Sequence, residues 1–400
     1  MTVTQITHHD LDGYGAATIV GAHVDVARIV HVPRYSDVGP VVEDELKRLN
    51  KAKASETLIM TDLGLESVAV KFIKSFAAMN RRREEAGALS ADVDTGSARE
   101  SASKQRHRLI VLDHHASSIG QLQEQGLEPT AVEGGANLMR FDLQDPDIVV
   151  LIDDGVCATR MAYVHRALYA TREADGLEAL VEAVDALDLW KKERPAFRGG
   201  LTLDEIFWDN VSNLVPIGHP WHDRFVGELL KAVSALLSAG ASPAEIETQV
   251  GATRKAIVDG FLAGEPDDDR SLTTRMRIAR VLARSTELFR PLSDGTLLSF
   301  GLDSGTFQRV SDLIMEGGGA TRVMNVQRMG SVSLRSNNET ALDGARKFRG
   351  GGHRDAAGGK LPSGSAFSLA DALAQVEPVL NPPPPDPSAS PFAALKGWKG

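Results

Sequence analysis

Residues Val3 to Val24 read VTQITHHDLDGYGAATIVGAHV. A β-branched run from Val3 to Thr7 meets His8, His9, Asp10 and Asp12, then Gly13 and Gly15, and then a helical apolar pattern. Strand, glycine turn and helix in direct succession form a β–α unit, and the order recurs. TLIMTDL precedes ESVAVKFIKSFAAM, RLIVLDHH precedes a loop, and DIVVLIDD precedes GVCATRMAYVHRAL. Near-continuous apolar strands alternating with helices predict an α/β fold, a doubly wound and mostly parallel sheet covered by helices on both faces.

The first three of these strands stop at ionisable residues: His8, His9, Asp10 and Asp12 after the first, Asp62 after the second, Asp113, His114 and His115 after the third. Open α/β sheets bind ligands beyond the carboxyl ends of their strands, so three clusters converge on one place. In an extended His8-x-Asp10-x-Asp12, alternate side chains face one side, and Gly13 and Gly15 then permit a tight turn into the helix. A single strand-end aspartate is more often an N-cap or turn residue, and His-His pairs occur in surface loops. Several carboxylates sharing one cleft, however, need counter-ions. Imidazole and carboxylate without sulfur suit Mn²⁺ or Mg²⁺ and tolerate Zn²⁺ or Co²⁺. Two such ions about 3.5–4 Å apart would neutralise the acids and present an activated water to phosphorus.

At 400 residues the chain exceeds one ordinary core. The expected order is a catalytic domain over 1–200, a mainly helical connector over 201–290, a smaller α/β domain over 291–375 and a proline-rich tail over 376–400. The polar stretch 80–108 reads as a mobile surface insertion, and Ser242-Pro243 as a helix start. Strands return in TLLSFGL, RVMNVQ and SVSLRS, with a helical pattern in FQRVSDLIMEGG. Cys157 is the single cysteine, which excludes disulfides and thiolate metal sites and fits a cytoplasmic address. No run approaches the roughly 18 apolar residues of a membrane span, and the N-terminus has no signal-peptide pattern, so no membrane partner is expected. Net charge is −10, against the basic balance of proteins that grip long duplexes. Residues 321–360 nevertheless carry eight basic residues against three acids, which suits a small anionic ligand.

Asp113-His114-His115 after an apolar strand, with the upstream H-x-D-x-D and the lone Asp62, resembles the DHH phosphoesterase superfamily. Gly350-Gly351-Gly352-His353-Arg354-Asp355-Ala356-Ala357-Gly358 is similar to the GGGHxxAAG signature of the DHH-associated C-terminal domain, and Ser331 to Ser336 to its substrate-binding strand. Within the superfamily, THHDLDGYG and VDALDLWK look most like the oligoribonuclease B (NrnB-like) branch. The resemblance implies two divalent ions, Mn²⁺ foremost with Mg²⁺ or Co²⁺ as alternatives. His8, Asp10 and Asp62 would hold one; Asp12, Asp62, His114 and Asp188 the other, with Asp62 bridging. Other branches place the first histidine where this chain has Ile6, so His8 serves instead. Asp185 and the pair Asp153-Asp154 compete with Asp188 for the last ligand position. Asp153 and Asp154 precede GVCATRMAY, similar to the family's Ser-Ala-Thr helix opening with Cys157 for serine, and capping is their simpler role. His115 would lie by the scissile phosphate, and Asp113 would orient His114.

In the C-terminal motif, glycines bring backbone N–H groups close to an anion, and His353 and Arg335 add charge-assisted bonds. A plain glycine-rich turn is the alternative reading. Substrate contacts are assigned to Arg335, Ser333, Gly351, Gly352 and His353. The implied enzyme is a two-domain hydrolase with its site in the interdomain cleft. It would cut short oligoribonucleotides of about two to five residues to 5′-mononucleotides. A cyclic mononucleotide or cyclic dinucleotide phosphodiesterase is the nearest alternative, and an inactive nucleotide-binding regulator a remote one. Short RNA or cyclic nucleotides are the expected partners, and homodimer formation is left open.

Overall fold

A computed structural model describes residues 2–91, 106–132, 135, 137–211, 215–263 and 272–382. The chain divides into two compact units, Met1–Gly260 and Phe261–Gly400.

The first unit runs β1 (Thr2–His8), α1 (Leu11–His23), β2 (Arg28–Val32), α2 (Tyr35–Lys51), β3 (Glu56–Thr61), α3 (Ser67–Ala91), β4 (Arg108–Asp113), α4 (Ala116–Glu124), β5 (Pro129–Ala131), β6 (Met139–Phe141), β7 (Ile148–Ile152), α5 (Ala158–Val164), α6 (Glu178–Asp188), α7 (Ala196–Asn210), α8 (Pro220–Ser238) and α9 (Pro243–Phe261). Its strands order β2-β1-β3-β4-β7-β6-β5, parallel from β2 to β7 and antiparallel over the last two. Every residue of β3 is buried, as expected for a strand with helices on both faces. Val3, Ile59, Ile110 and Leu112 join one core with Ile19, Val20, Met161, Val184 and Leu230 from the helices. The strand order reverses at β1 and β3. That switch point is where a doubly wound sheet opens a crevice at its strand ends.

The structure corrects three expectations. The extended run ends at Asp10, not Asp12: Asp10 caps α1, its carboxylate accepting from Gly13 N at 2.9 Å, so Asp12 projects from the first helical turn. The 80–108 stretch is not wholly a surface insertion. Helix α3 runs through Ala91, with Asn80 and Arg83 buried, and buried His107 leads into β4. Asn80 exchanges hydrogen bonds with the His107 backbone at 2.9 and 3.0 Å; residues 92–105 lie outside the described residues. The third concerns Asp153-Asp154, which do not cap α5. Asp153 accepts from Gly155 N at 3.0 Å in a local turn, Asp154 is exposed, and the α5 N-terminus is capped by acids from elsewhere.

Helices α7 and α8 pack on α1 and α6 within the first unit, so the helical stretch after residue 200 belongs largely to it. Ser242 and Glu245 exchange bonds as a capping box at the start of α9.

The second unit contains α10 (Thr274–Arg284), β8 (Phe289–Pro291), β9 (Leu297–Phe300), α11 (Ser304–Glu316), β10 (Arg322–Val326), β11 (Ser331–Ser336), α12 (Ala341–Lys347), β12 (Gly351–Gly352), β13 (Ala356–Lys360) and α13 (Leu369–Leu380). Its sheet orders β12-β13-β11-β10-β9-β8. Val376 and Leu380 are buried in its core with Leu334 and Phe348, so the proline-rich stretch starts after α13; residues from 383 onward lie outside the described residues. Among the described residues, no helix is long and apolar enough to cross a membrane.

Candidate metal centre

The carboxyl ends of β1, β3 and β4 meet as their register requires, since Thr7 pairs with Thr61 and Thr61 with Leu112. The residues just beyond these three strands therefore share one place. Gly13 makes the first approach possible: a Cβ there would stand 2.1 Å from the His8 carbonyl oxygen. Thus the glycine of HHDLDG is required by the packing of the first turn of α1 against the end of β1.

Two triads of side chains each present ligand atoms within 4.8 Å of one another: His8, Asp10 and Asp62, and Asp12, His114 and Asp188. They are joined through Asp62, whose Oδ1 lies 3.1 Å from His114 Nε2. His114 Nε2 is also 3.6 Å from Asp12, and its Nδ1 is 3.7 Å from Asp188. Asp62, His114 and His115 form a third such group. The six residues expected as metal ligands all fall within these three groups, with Asp62 placed beside His8 and Asp10 in one and beside His114 and His115 in another.

The electrostatics of the four acids differ. Asp10 is half-buried, and this desolvation works against its charge, but the 2.5 Å bond from His8 and the Gly13 N–H outweigh it and hold its pKa below the ordinary carboxylate value. Asp12 accepts from the backbone N–H groups of Ala158 and Thr159 at 2.7 and 2.8 Å, so it is the cap of α5. Asp62 is fully buried, with its backbone in the left-handed region at φ 57° and an Oδ2 that no donor reaches. Burial and the repulsion of Asp10, Asp12 and Asp188 raise its pKa well above the usual range. Burial, then Asp12 and Asp10, push Asp188 up to about 8. Acids that repel one another, one with a buried oxygen lacking any donor, are what a cation would satisfy. The donor set of imidazole and carboxylate fits a hard or borderline divalent ion.

Asp113 departs from the expected role. Its carboxylate bonds His115 Nδ1 at 2.8 Å and Ser118 Oγ at 2.5 Å, so it orients His115 rather than His114. Burial lowers the His115 pKa, yet the bond to Asp113 and the charges of Asp188 and Asp12 turn the net shift upward. Asp185 is committed elsewhere: it accepts from Cys157 N at 2.9 Å and pairs with Lys191 and Arg194, both at 3.0 Å.

Aromatic residues at the rim went unread in the sequence. Tyr35 OH is 3.0 Å from His115 Nε2, and its ring stacks on His8 at 5.2 Å. Trp208 meets His9 edge-on at 6.2 Å. The signal for Tyr35 was present: RIVHV is a short β-branched run, and Tyr35 stands just beyond its carboxyl end.

In the second unit, Ser333 and Arg335 alternate on β11, paired with Gly358 and Ala356 of β13; Gly351 and Gly352 pair with the same strand. His353 N donates to Ala356 O at 2.8 Å, closing the turn. The five residues assigned to substrate thus lie on β11, on β12 and in the turn after β12, with β11 and β12 both paired to β13. Two of the glycines have packing reasons. A Cβ on Gly350 would stand 1.9 Å from Gly358 O and one on Gly352 2.7 Å from Ala356 O, whereas Gly351 faces open space. Part of the local charge is also paired, Arg354 with Glu339 at 2.7 Å and Arg346 with Asp343 at 3.1 Å.

No family model matches the chain. Over 391 residues, 95% of this chain and 99% of the relative, it is 21% identical to a 3′,5′-cyclic-nucleotide phosphodiesterase from Helicobacter pylori. The crystal structure of an uncharacterized protein from Helicobacter pylori G27 superposes with a TM-score of 0.66 at 19% identity, covering 95% of this chain and 99% of the other. A pGpG-specific phosphodiesterase from Vibrio aligns over 94% of this chain, but at a TM-score of 0.25. The chain therefore shares its fold with the Helicobacter protein over nearly its whole length.

Proposed function

We propose that the protein is a metal-dependent phosphodiesterase whose preferred substrates are short oligoribonucleotides, hydrolysed to 5′-mononucleotides. The observation that carries this reading is the pair of oxygen- and imidazole-bearing triads joined by Asp62 at the switch point of the sheet. His8, Asp10 and Asp62 would hold one divalent ion, Asp12, Asp62, His114 and Asp188 the other. When bound, such a pair neutralises phosphoryl charge and lowers the pKa of water. The chain's own residues supply the rest. His115, fixed by Asp113, would offer an N–H donor to a phosphoryl oxygen. Ser333, Arg335, Gly351, Gly352 and His353 gather donors for the substrate's anionic end. Mn²⁺ is the preferred ion for this donor set.

The cyclic-nucleotide activity named for the 21%-identical relative favours a second reading, hydrolysis of a cyclic mononucleotide or dinucleotide by the same centre. A panel in Mn²⁺ decides between them: a linear diribonucleotide, cyclic dinucleotides, cyclic AMP, bis(p-nitrophenyl) phosphate and pyrophosphate. The linear diribonucleotide should turn over fastest. Preference for a cyclic substrate transfers the assignment, and turnover of pyrophosphate alone overturns it. Binding without turnover of any substrate makes the chain a regulator.

A further inference from the structure

Helix α6 ends in a turn that ordinarily selects glycine. Trp190 N donates to Leu187 O at 2.9 Å, and Lys191 N reaches back to Ala186 O at 2.8 Å. This pair of bonds places the residue at Trp190 in left-handed backbone, and Trp190 has φ 52°. Glycine takes that conformation freely; a bulky aromatic takes it at a cost. Burial does not explain the choice, because Trp190 is 59% exposed. The ring is nonetheless held in place. Phe197 meets it edge-on at 5.2 Å, and the Lys192 ammonium stands 4.9 Å from its centroid. Asp188, a member of the second triad, lies two residues earlier. Tyr35, 42% exposed, touches the same centre through His8 and His115, and Trp208, 49% exposed, meets His9, the neighbour of His8. Among the described residues, Tyr35, Trp190 and Trp208 are the exposed large aromatics.

We propose that Trp190 is a stacking platform for a nucleobase adjoining the phosphodiester, with Lys192 placed to meet a neighbouring phosphate oxygen. The inference rests on the phosphodiesterase reading and adds what it leaves open: substrates are selected by an unpaired base beside the scissile bond. Because every base has a π-face, the selection tolerates sequence. A residue that only closed the helix would be served at least as well by glycine.

The test compares kcat/KM in Mn²⁺ for linear diadenylate and for the same dinucleotide with both bases removed, using wild type, Trp190→Gly and Trp190→Phe. In Trp190→Gly the preference for the base-bearing substrate falls by about fivefold or more, the lower end of a stacking contribution, and Trp190→Phe restores part of it. The melting temperature of Trp190→Gly does not fall in step, since glycine relieves the backbone. Quenching of indole fluorescence by metal-free diadenylate shrinks in Trp190→Phe. An unchanged preference, or equal losses on both substrates that follow the melting temperature, overturns the assignment. If wild type cleaves neither dinucleotide, the phosphodiesterase reading fails by itself, and the quenching titration alone decides Trp190.

Discussion

Asp62→Asn is expected to make the metal-free protein more stable and to remove its response to metal. The backbone at Asp62 has φ 57°, a region where asparagine is as much at home as aspartate. The asparagine oxygen can keep the 3.1 Å contact to His114 Nε2. What is lost is charge. The ligand atoms of Asp10 and Asp62 lie within 4.8 Å, a separation at which two ionised carboxylates repel by about 3.5 kcal/mol at an effective dielectric of 20. Protonation relieves part of this, which is the sense of the raised Asp62 pKa, so the gain on substitution is about 1–3 kcal/mol. At roughly 2–4 °C per kcal/mol for a unit of this size, that is a rise of about 2–12 °C.

Thermal unfolding in EDTA and in Mn²⁺ reads both effects. Wild type gains about 2.7 kcal/mol at a hundredfold excess of metal over its Kd, whereas the variant gains little. The pH dependence has a definite sign. A carboxyl whose pKa rises on folding costs nothing below its ordinary value near 4, and its cost grows as pH climbs through the raised value, about 8 for Asp188. The advantage of Asp62→Asn in EDTA should therefore shrink toward pH 4. A lower melting temperature in EDTA, or an undiminished Mn²⁺ response, would refute the electrostatic account of the centre.

Gly13→Ala drives a Cβ against the His8 carbonyl rather than against a flexible side chain, so urea unfolding should show a loss of about 1–3 kcal/mol. Asp12→Ala strands the N–H groups of Ala158 and Thr159, costing about 1–3 kcal/mol per unsatisfied donor less the relief of repulsion. Asp12→Asn retains an acceptor, and its denaturant midpoint should lie closer to wild type. By calorimetric titration, Asp188→Ala should weaken Mn²⁺ binding at least about tenfold, whereas Asp154→Ala, at an exposed residue, should leave it intact. The reverse pattern would move the last ligand to Asp154.

The doubly wound sheet was legible because its signal is local. Apolar runs such as RLIVL and IVVLI suit strands covered on both faces, as in a mostly parallel sheet, and strand-end acids then locate the crevice. The division of labour among the acids was not legible, because it depends on contacts far apart in sequence. Asp12 caps a helix nearly 150 residues away, and Asp113 spends its second oxygen on Ser118. Asp153 and Asp154 looked like caps because they precede α5, yet the donors of that helix were already taken by Asp12 and Asp185. The polarity of residues 80–108 hid the continuation of α3 in the same way. Asn80 is polar because it bonds the His107 backbone, not because it faces water.

Those distant contacts divide the four acids into two kinds. Asp10 and Asp12 have N–H donors of their own, from Gly13 and from the first turn of α5, and His8, with the Gly13 N–H, depresses the Asp10 pKa. Asp62 and Asp188 are shifted upward, and Asp62 keeps a buried oxygen that no donor reaches. Within the first triad, Asp10 is therefore favoured as an anion by the protein itself, whereas the charge of Asp62 calls for a cation. Asp185 extends the same logic without touching the centre. By binding Cys157 N, Lys191 and Arg194 it ties the start of α5 to the turn after α6, and so fixes the segment that carries Asp188 and Trp190. A buried acid three residues before Asp188 thus positions that carboxylate without joining its triad. Asp185→Asn should accordingly lower Mn²⁺ affinity in parallel with stability, unlike Asp62→Asn, where the two move in opposite directions.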